Sequence, residues 1–406
     1  MNTTAETTSP GGTETATLAL PQALERAQGL AERVRAYRRE IEQTRAVPQS
    51  VIDDFVASDL LRMNQARRWG GHELGCAAVV ELVAAVAEGD ASAGWVFGLI
   101  ASHFWLGSVF GDEVQDEMWG QDPTAMMSSS FAPAEVSVTV EEGGLRLRGR
   151  WPYSSGSHHC HWAMLGLVVP PSGDGEAPMA RWCILPRADY RVDDDWDTCS
   201  LRGTGSNTIE VSDAFVPEHR MVDPALLIGG NGPGRARNTA AIFSLPFAPA
   251  LGWYLAPVAL GAARRAIDEF GQRSMAKRST FTGLPAISDP LLIHIGSASA
   301  RVEAARAVMR YRTGAIDAHL RQGERFSQDD TIASVRDGAS AVRLCVDAID
   351  EAMRFSGASG LALANPVQQG WRDVHGVAAH MGFNTDATYG SYGRALLGLP
   401  LPPGFY

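Results

Sequence analysis

Imidazoles exchange protons near neutral pH, and three of the ten histidines in this 406-residue chain stand where one could act on a bound molecule. His103 lies in an otherwise apolar run, Val96 to Phe110. His375 and His380 fall in the segment Trp371-Arg372-Asp373-Val374-His375-Gly376-Val377-Ala378-Ala379-His380-Met381. Five residues apart, these two cannot share one helical face, and His375 reads as structural or capping. No carboxylate follows His380 until Asp386. The run His158-His159-Cys160-His161 suggests a metal site at first. Adjacent strand residues face opposite ways, however, so at most two of its side chains converge and no metal is expected.

The elements that hold these residues follow from composition and periodicity. Apolar residues at 45% and charged residues at 20% describe an ordinary globular protein. A net charge of -11 argues against a nucleic-acid partner. Five scattered cysteines without a CxxC spacing point to reduced thiols and a cytoplasmic location. Residues 1–17, Thr-rich and without Lys or Arg, read as a disordered tail rather than a signal peptide. No apolar window is long enough for a membrane span.

Between residues 18 and 124 apolar positions recur at helical spacing, as in Leu24, Ala27, Leu30 and Val34. Asp90-Ala91-Ser92-Ala93-Gly94-Trp95 leads into the apolar helix Val96 to Phe110. Residues 125–235 alternate instead, as in Val136 to Val140 and Leu145 to Arg150, with Gly143-Gly144 as a hairpin turn and Ser172 to Glu176 as an exposed loop. Residues 236–406 return to helix: Gly252 to Met275, Asp289 to Arg321, Gln328 to Phe355, and Val367 to about Asn384. The expected fold class is α+β, with a helical domain, a β domain and a C-terminal four-helix bundle.

The C-terminal segment, following Phe355-Ser356-Gly357-Ala358-Ser359-Gly360, resembles the C-terminal domain of the acyl-CoA dehydrogenase superfamily. The resemblance runs from about residue 18 to the end. In that superfamily a Glu eight or nine residues past the Arg is the base. Here the count from Arg372 lands on His380 and Met381. Further segments resemble one branch, the flavin-dependent two-component monooxygenases: Gly94-Trp95 with His103, Ser128-Ser129-Ser130, Gly149-Arg150-Trp151-Pro152-Tyr153-Ser154-Ser155-Gly156, and Leu201-Arg202-Gly203-Thr204-Gly205-Ser206.

This resemblance implies reduced FMN or FAD reacting with O2 to form a hydroperoxide at the flavin C4a carbon. With no Rossmann fingerprint around Gly203-x-Gly205, the reduced flavin must come from a separate flavin reductase. His103 and His380 match two histidines that face a phenol oxygen, and an imidazole with a pKa near neutrality suits that proton transfer. Ser129, Ser130, Ser154 and Ser155 are hydroxyls for the flavin ring edge, and Trp95 and Tyr153 are its walls. Arg278 and the turn Gly357-Ala358-Ser359 are expected at the phosphate end, supplied by a neighbour in a homotetramer. Trp105, Phe131, Phe247, Trp253 and Phe383 are expected to line a pocket for a small phenolic or polycyclic aromatic substrate. The alternatives are an N-oxygenase acting on an amino sugar and an acyl-CoA dehydrogenase, the latter disfavoured by the missing Glu.

Overall fold

The computed structural model describes residues 18–171, 175, 177–279 and 282–402. The segment 1–17, the expected loop Ser172 to Glu176 except Gly175, and Thr280-Phe281 lie outside the described residues.

The N-terminal part is helical: α1 (Leu20–Thr44), α2 (Gln49–Ala57), α3 (Cys76–Ala87), α4 (Ala91–Ser108) and α5 (Asp112–Trp119). Every residue of α4 is buried, as its all-round apolar sequence requires. It starts at Ala91, not Val96, because the Asp90 carboxylate accepts the Ala93 amide at 3.0 Å and caps it. Glycines bring the helices close. A Cβ on Gly98 would lie 2.4 Å from the Tyr254 carbonyl oxygen, and one on Gly261 2.2 Å from that of Ala84.

Eight strands follow: β1 (Met127–Ser130), β2 (Ala134–Glu141), β3 (Gly144–Ser154), β4 (Trp162–Val169), β5 (Met179–Pro186), β6 (Arg191–Asp193), β7 (Asn207–Pro217) and β8 (Met221–Val222). They form two four-stranded sheets, β1-β4-β5-β8 and β2-β3-β7-β6. The β1–β4 pair is parallel and the others antiparallel. The hairpin at Gly143 joins β2 to β3, with Val140 opposite Leu145. Inward residues such as Leu147, Trp151, Leu165 and Ile209 pack between the sheets. The Trp151 indole donates to the Gly166 carbonyl at 2.8 Å.

The C-terminal part holds α6 (Pro224–Ile228), α7 (Phe247–Ala276), α8 (Asp289–Arg321), α9 (Gln328–Phe355), α10 (Pro366–Ala378) and α11 (Thr385–Leu396). Helices α8 and α9 have the bounds expected from periodicity. Helix α7 starts five residues earlier than expected, at Phe247, since Pro246 and Pro249 suit the start of a helix. The last expected helix, Val367 to about Asn384, is shorter, and a further helix follows it. Helix α10 stops at Ala378, a single 3-10 turn spans Met381–Phe383, and the Asn384 side chain caps α11 by accepting the Ala387 amide. His380 therefore stands in a turn, not on a helix. Residues of α3, α4, α7, α9 and α10 share one continuous core.

Among the described residues no helix is long and apolar enough to cross a membrane. All five cysteines are free, with Cys199 alone exposed.

Candidate active site

The parallel pairing of β1 with β4 sets Ser129 beside α4, where its Oγ lies 2.8 Å from His103 Nε2. Both side chains are buried, and His103 Nδ1 makes no well-formed hydrogen bond. Burial pushes the His103 imidazole down to about 3, against a smaller raising effect of the Met127 backbone.

His380 is fixed by its own turn. Its Nδ1 accepts the Gly382 amide at 3.2 Å, so the neutral ring carries its proton on Nε2. Burial lowers its pKa to about 4. The near-neutral imidazoles expected from the sequence are thus corrected: in the substrate-free protein both rings are uncharged.

His380 lines a chamber of about 530 Å³ together with Phe131, Phe247, Trp253 and Phe383. None of the described residues lining it carries a formal charge. Trp182, absent from the sequence reading, wedges its ring between Phe131 and Phe247, with centroids 4.5 and 4.7 Å away. Trp105 does not reach the chamber. It is a core residue whose indole donates to the Ile242 carbonyl at 3.0 Å, because an inward-facing position on a wholly buried helix need not face a cavity.

Trp95 stands edge-on to His380, ring centroids 5.6 Å apart, and starts a polarised hydrogen-bond chain. Its indole N–H donates to Ser155 Oγ at 3.1 Å. At the far end Thr204 donates to the Leu201 carbonyl at 2.9 Å. Ser155–Ser206 and Ser206–Thr204 are both 2.7 Å apart. Each hydroxyl has one proton, so Ser155 must donate to Ser206 and Ser206 to Thr204. The Ser155 proton is spent on Ser206, and a lone pair of its oxygen holds Trp95 in place. Ser130 is spent too, donating to the Pro152 carbonyl at 2.5 Å. Ser154 is different, because its buried Oγ has no partner in the protein.

Tyr153, expected as a flavin wall, takes a left-handed backbone (φ 68°) at the bulge that ends β3 and is 64% exposed, edge-on to Trp196. The bulge turns Tyr153 outward so that Ser154 and Ser155 point in.

A second cavity, about 560 Å³, gathers Arg273, Lys277, Ser356 and Ser359 between α7, α8 and the turn after α9. Arg278 does not line it. Its exposed guanidinium donates to the Gly283 carbonyl at 3.2 Å. Lys277 does line it, its Nζ 3.3 Å from where a Cβ on Gly357 would stand. Ala358 begins the single 3-10 turn Ala358–Leu361 that carries Ser359.

The remaining singled-out residues are struts. Arg372 bonds to Glu42 at 2.9 Å and to the Cys199 carbonyl, while Asp373 accepts the Leu201 amide at 2.7 Å. His375 Nδ1 donates to the Trp371 carbonyl at 2.8 Å. His159 pairs with Gln49 and His161 with the Met126 amide, so that run disperses. Among the described residues no three His, Cys, Asp or Glu side chains are grouped to hold a metal ion.

An unpaired buried hydroxyl costs about 1–3 kcal/mol. Ser154 Oγ carries that cost here, and the polar edge of a flavin ring would remove it. The residues present fit such a cofactor. Among the described residues that line the chamber none is a carboxylate, so no counterpart of the acyl-CoA dehydrogenase base is found there, in keeping with the sequence. Fold and site together define a flavin oxygenase built on the dehydrogenase architecture.

Residues 253–385 match the family model "Acyl-CoA dehydrogenase, C-terminal domain". The chain is 32% identical to the flavin-dependent monooxygenase oxygenase subunit HsaA of Rhodococcus jostii (strain RHA1), over 93% of this chain and 99% of that protein. It is 31% identical to the FADH(2)-dependent resorcinol hydroxylase oxygenase component of Rhizobium sp. (strain MTP-10005), over 94% and 95%. The crystal structure of 3-HSA hydroxylase from Rhodococcus sp. RHA1 superposes with a TM-score of 0.89 at 31% identity, covering 95% of this chain and 99% of that one. The chain belongs to the oxygenase subunits of flavin-dependent monooxygenases.

Proposed function

We propose that this monooxygenase hydroxylates a phenolic or polycyclic aromatic substrate held in the chamber lined by His380, Phe131, Phe247, Trp253 and Phe383. The observation that carries this reading is the pairing of an uncharged aromatic chamber with a neutral imidazole that lines it and carries its proton on Nε2. A phenol attacks an electrophilic oxygen far better as phenolate. Reduced FMN or FAD, when bound, supplies that oxygen atom from O2.

The chain's own groups do the rest. His380 Nε2–H donates to the phenol oxygen and stabilises the phenolate. His103, buried and hydrogen-bonded to Ser129, is a second neutral imidazole, though it is not among the residues that line the chamber. Their low pKa values keep both rings unprotonated until a phenolate arrives, whose charge then favours the imidazolium. Ser154 holds the flavin ring edge, and Trp95 is a wall pinned by Ser155. The aromatic lining excludes water, which otherwise diverts the oxidant to hydrogen peroxide. Such a lining is a poor match for a polyhydroxylated amino sugar, which disfavours the N-oxygenase alternative.

We infer further that Arg273, Lys277 and Ser359 meet the flavin phosphate end, in a homotetramer whose neighbour completes the site. The exposed apolar side chains of Leu292, Ile293, Tyr311, Leu361 and Leu363 support such an assembly. Reduced flavin would reach this cytoplasmic oxygenase from a separate reductase. The test is a single turnover with photoreduced flavin, O2 and a panel of phenols. Hydroxylated product is expected. Complete flavin oxidation with stoichiometric hydrogen peroxide and no product from any phenol overturns the reading.

A further inference from the structure

Helix α9 presents two small residues to the chamber, Ser334 and Gly338, four positions apart and so on one face. Glycine weakens a helix interior relative to alanine, and Gly338 lies well inside the 28-residue α9. Nothing in the backbone demands it there. Its φ is not in the left-handed region, and a Cβ would stand 3.9 Å from the rings of Phe383 and Trp253, an ordinary contact. What the missing side chain leaves is room between those two rings. One turn earlier, Ser334 Oγ accepts the Trp253 indole N–H at 2.9 Å and is buried. That bond uses one lone pair and leaves the hydroxyl its proton to donate. Contacts run from His380 to Phe383, and from Phe383 past Gly338 to Trp253 and Ser334, so the two small residues meet a part of the ligand beyond the first ring at His380.

We propose that the Ser334–Gly338 face of α9 sets substrate specificity. It selects a phenol fused or linked to a second ring, and that ring carries an oxygen acceptor for the Ser334 hydroxyl. The proposal rests on the aromatic-hydroxylase reading and gives it a substrate class. A site built to hydrogen-bond a ligand oxygen discriminates strongly, and lost fit in an apolar pocket is worth about 10- to 200-fold.

The test titrates the flavin-free full chain with phenol, naphthol and hydroxytetralone, read by quenching of tryptophan fluorescence. Wild type should prefer naphthol to phenol by about tenfold or more. Gly338→Leu should lower that ratio by about tenfold, and Gly338→Ala by a smaller factor in the same direction. Ser334→Ala should remove any preference for hydroxytetralone over naphthol. An unchanged naphthol-to-phenol ratio in Gly338→Leu, with wild-type circular dichroism, overturns the proposal. Should that variant misfold, an unchanged ratio in Gly338→Ala does the same. Failure of the hydroxylase reading looks different: these compounds would bind with the expected ratios yet never be hydroxylated when flavin and a reductase are added.

Discussion

Helix α4 has a buried acid at one end and a buried imidazole towards the other, and the protein treats them in opposite ways. Although the buried Nε of nearby Arg265 has no partner, both carboxylate oxygens of Asp90 are engaged. Its carboxylate accepts from the Ala93 amide and from Gln369, with the Arg38 charge close by. Its neighbour Asp373 accepts the Leu201 amide. Around His103 fewer polar atoms are engaged. The imidazole has Ser129 as its one side-chain partner, with the Met127 backbone close by, and Ser154 has no partner. Perturbed pKa values do not tell the two regions apart. Burial raises Asp90 to about 6 and Asp373 to about 8, just as it lowers His103 to about 3 and His380 to about 4. Hydrogen-bond saturation does tell them apart. A satisfied cluster ties elements together, while an unsatisfied one is waiting for a ligand.

The largest effect should come from the unsatisfied side. His380→Ala is expected to cut product formation by about 10²–10³-fold while flavin oxidation continues and releases hydrogen peroxide. His380→Gln restores an N–H donor and should recover at least about a tenth of what was lost on a logarithmic scale. If glutamine is no better than alanine, the ring must move a proton rather than donate a hydrogen bond, and the tautomer argument fails. Next come the paired serines. Ser154→Ala removes a buried hydroxyl with no partner, so stability should rise, by up to about 1–3 kcal/mol, while the yield of product per flavin drops. Ser155→Ala orphans the Trp95 indole and should cost about 1–3 kcal/mol of stability. Melting curves and peroxide yields that show the reverse order would erase the distinction between strut and site.

Much of this was legible in the sequence, for identifiable reasons. Periodicity located α8 and α9, and the Gly143-Gly144 pair located the hairpin. His380 and four of the five aromatics expected at the substrate pocket line one chamber. Three things could not be read. The His380 tautomer depends on a single amide, that of Gly382, two residues away. Burial depth set the pKa values, and no spacing reveals it. Tyr153 turned outward because of a bulge, which no spacing reveals either. Small residues at Ser334 and Gly338, on the inward face of an amphipathic helix, were a signal that could have found the far wall of the chamber.

The subtlest prediction separates the two regions by pH. Asp373 holds its proton up to about pH 8 when folded but releases it near 3.8 when unfolded. Across that window the folded state binds the extra proton, so stability falls as pH rises, by up to about 1.4 kcal/mol per pH unit, and levels off above it. Asp90 adds the same sign up to about pH 6. The histidines act oppositely. Unfolded imidazoles take a proton below 6.5 that folded His103 and His380 refuse until about 3 and 4, so their share of stability falls as pH drops through that range. Between pH 6.5 and 8, among these four groups, Asp373 alone contributes. Asp373→Asn keeps an acceptor for the Leu201 amide and removes the titration. Its melting temperature should stay level across pH 6.5–8 where that of wild type declines. A wild-type curve already flat in that range would mean that Arg38 and its neighbours keep Asp373 ionised, and that the satisfied cluster is a buried ion network rather than a protonated strut.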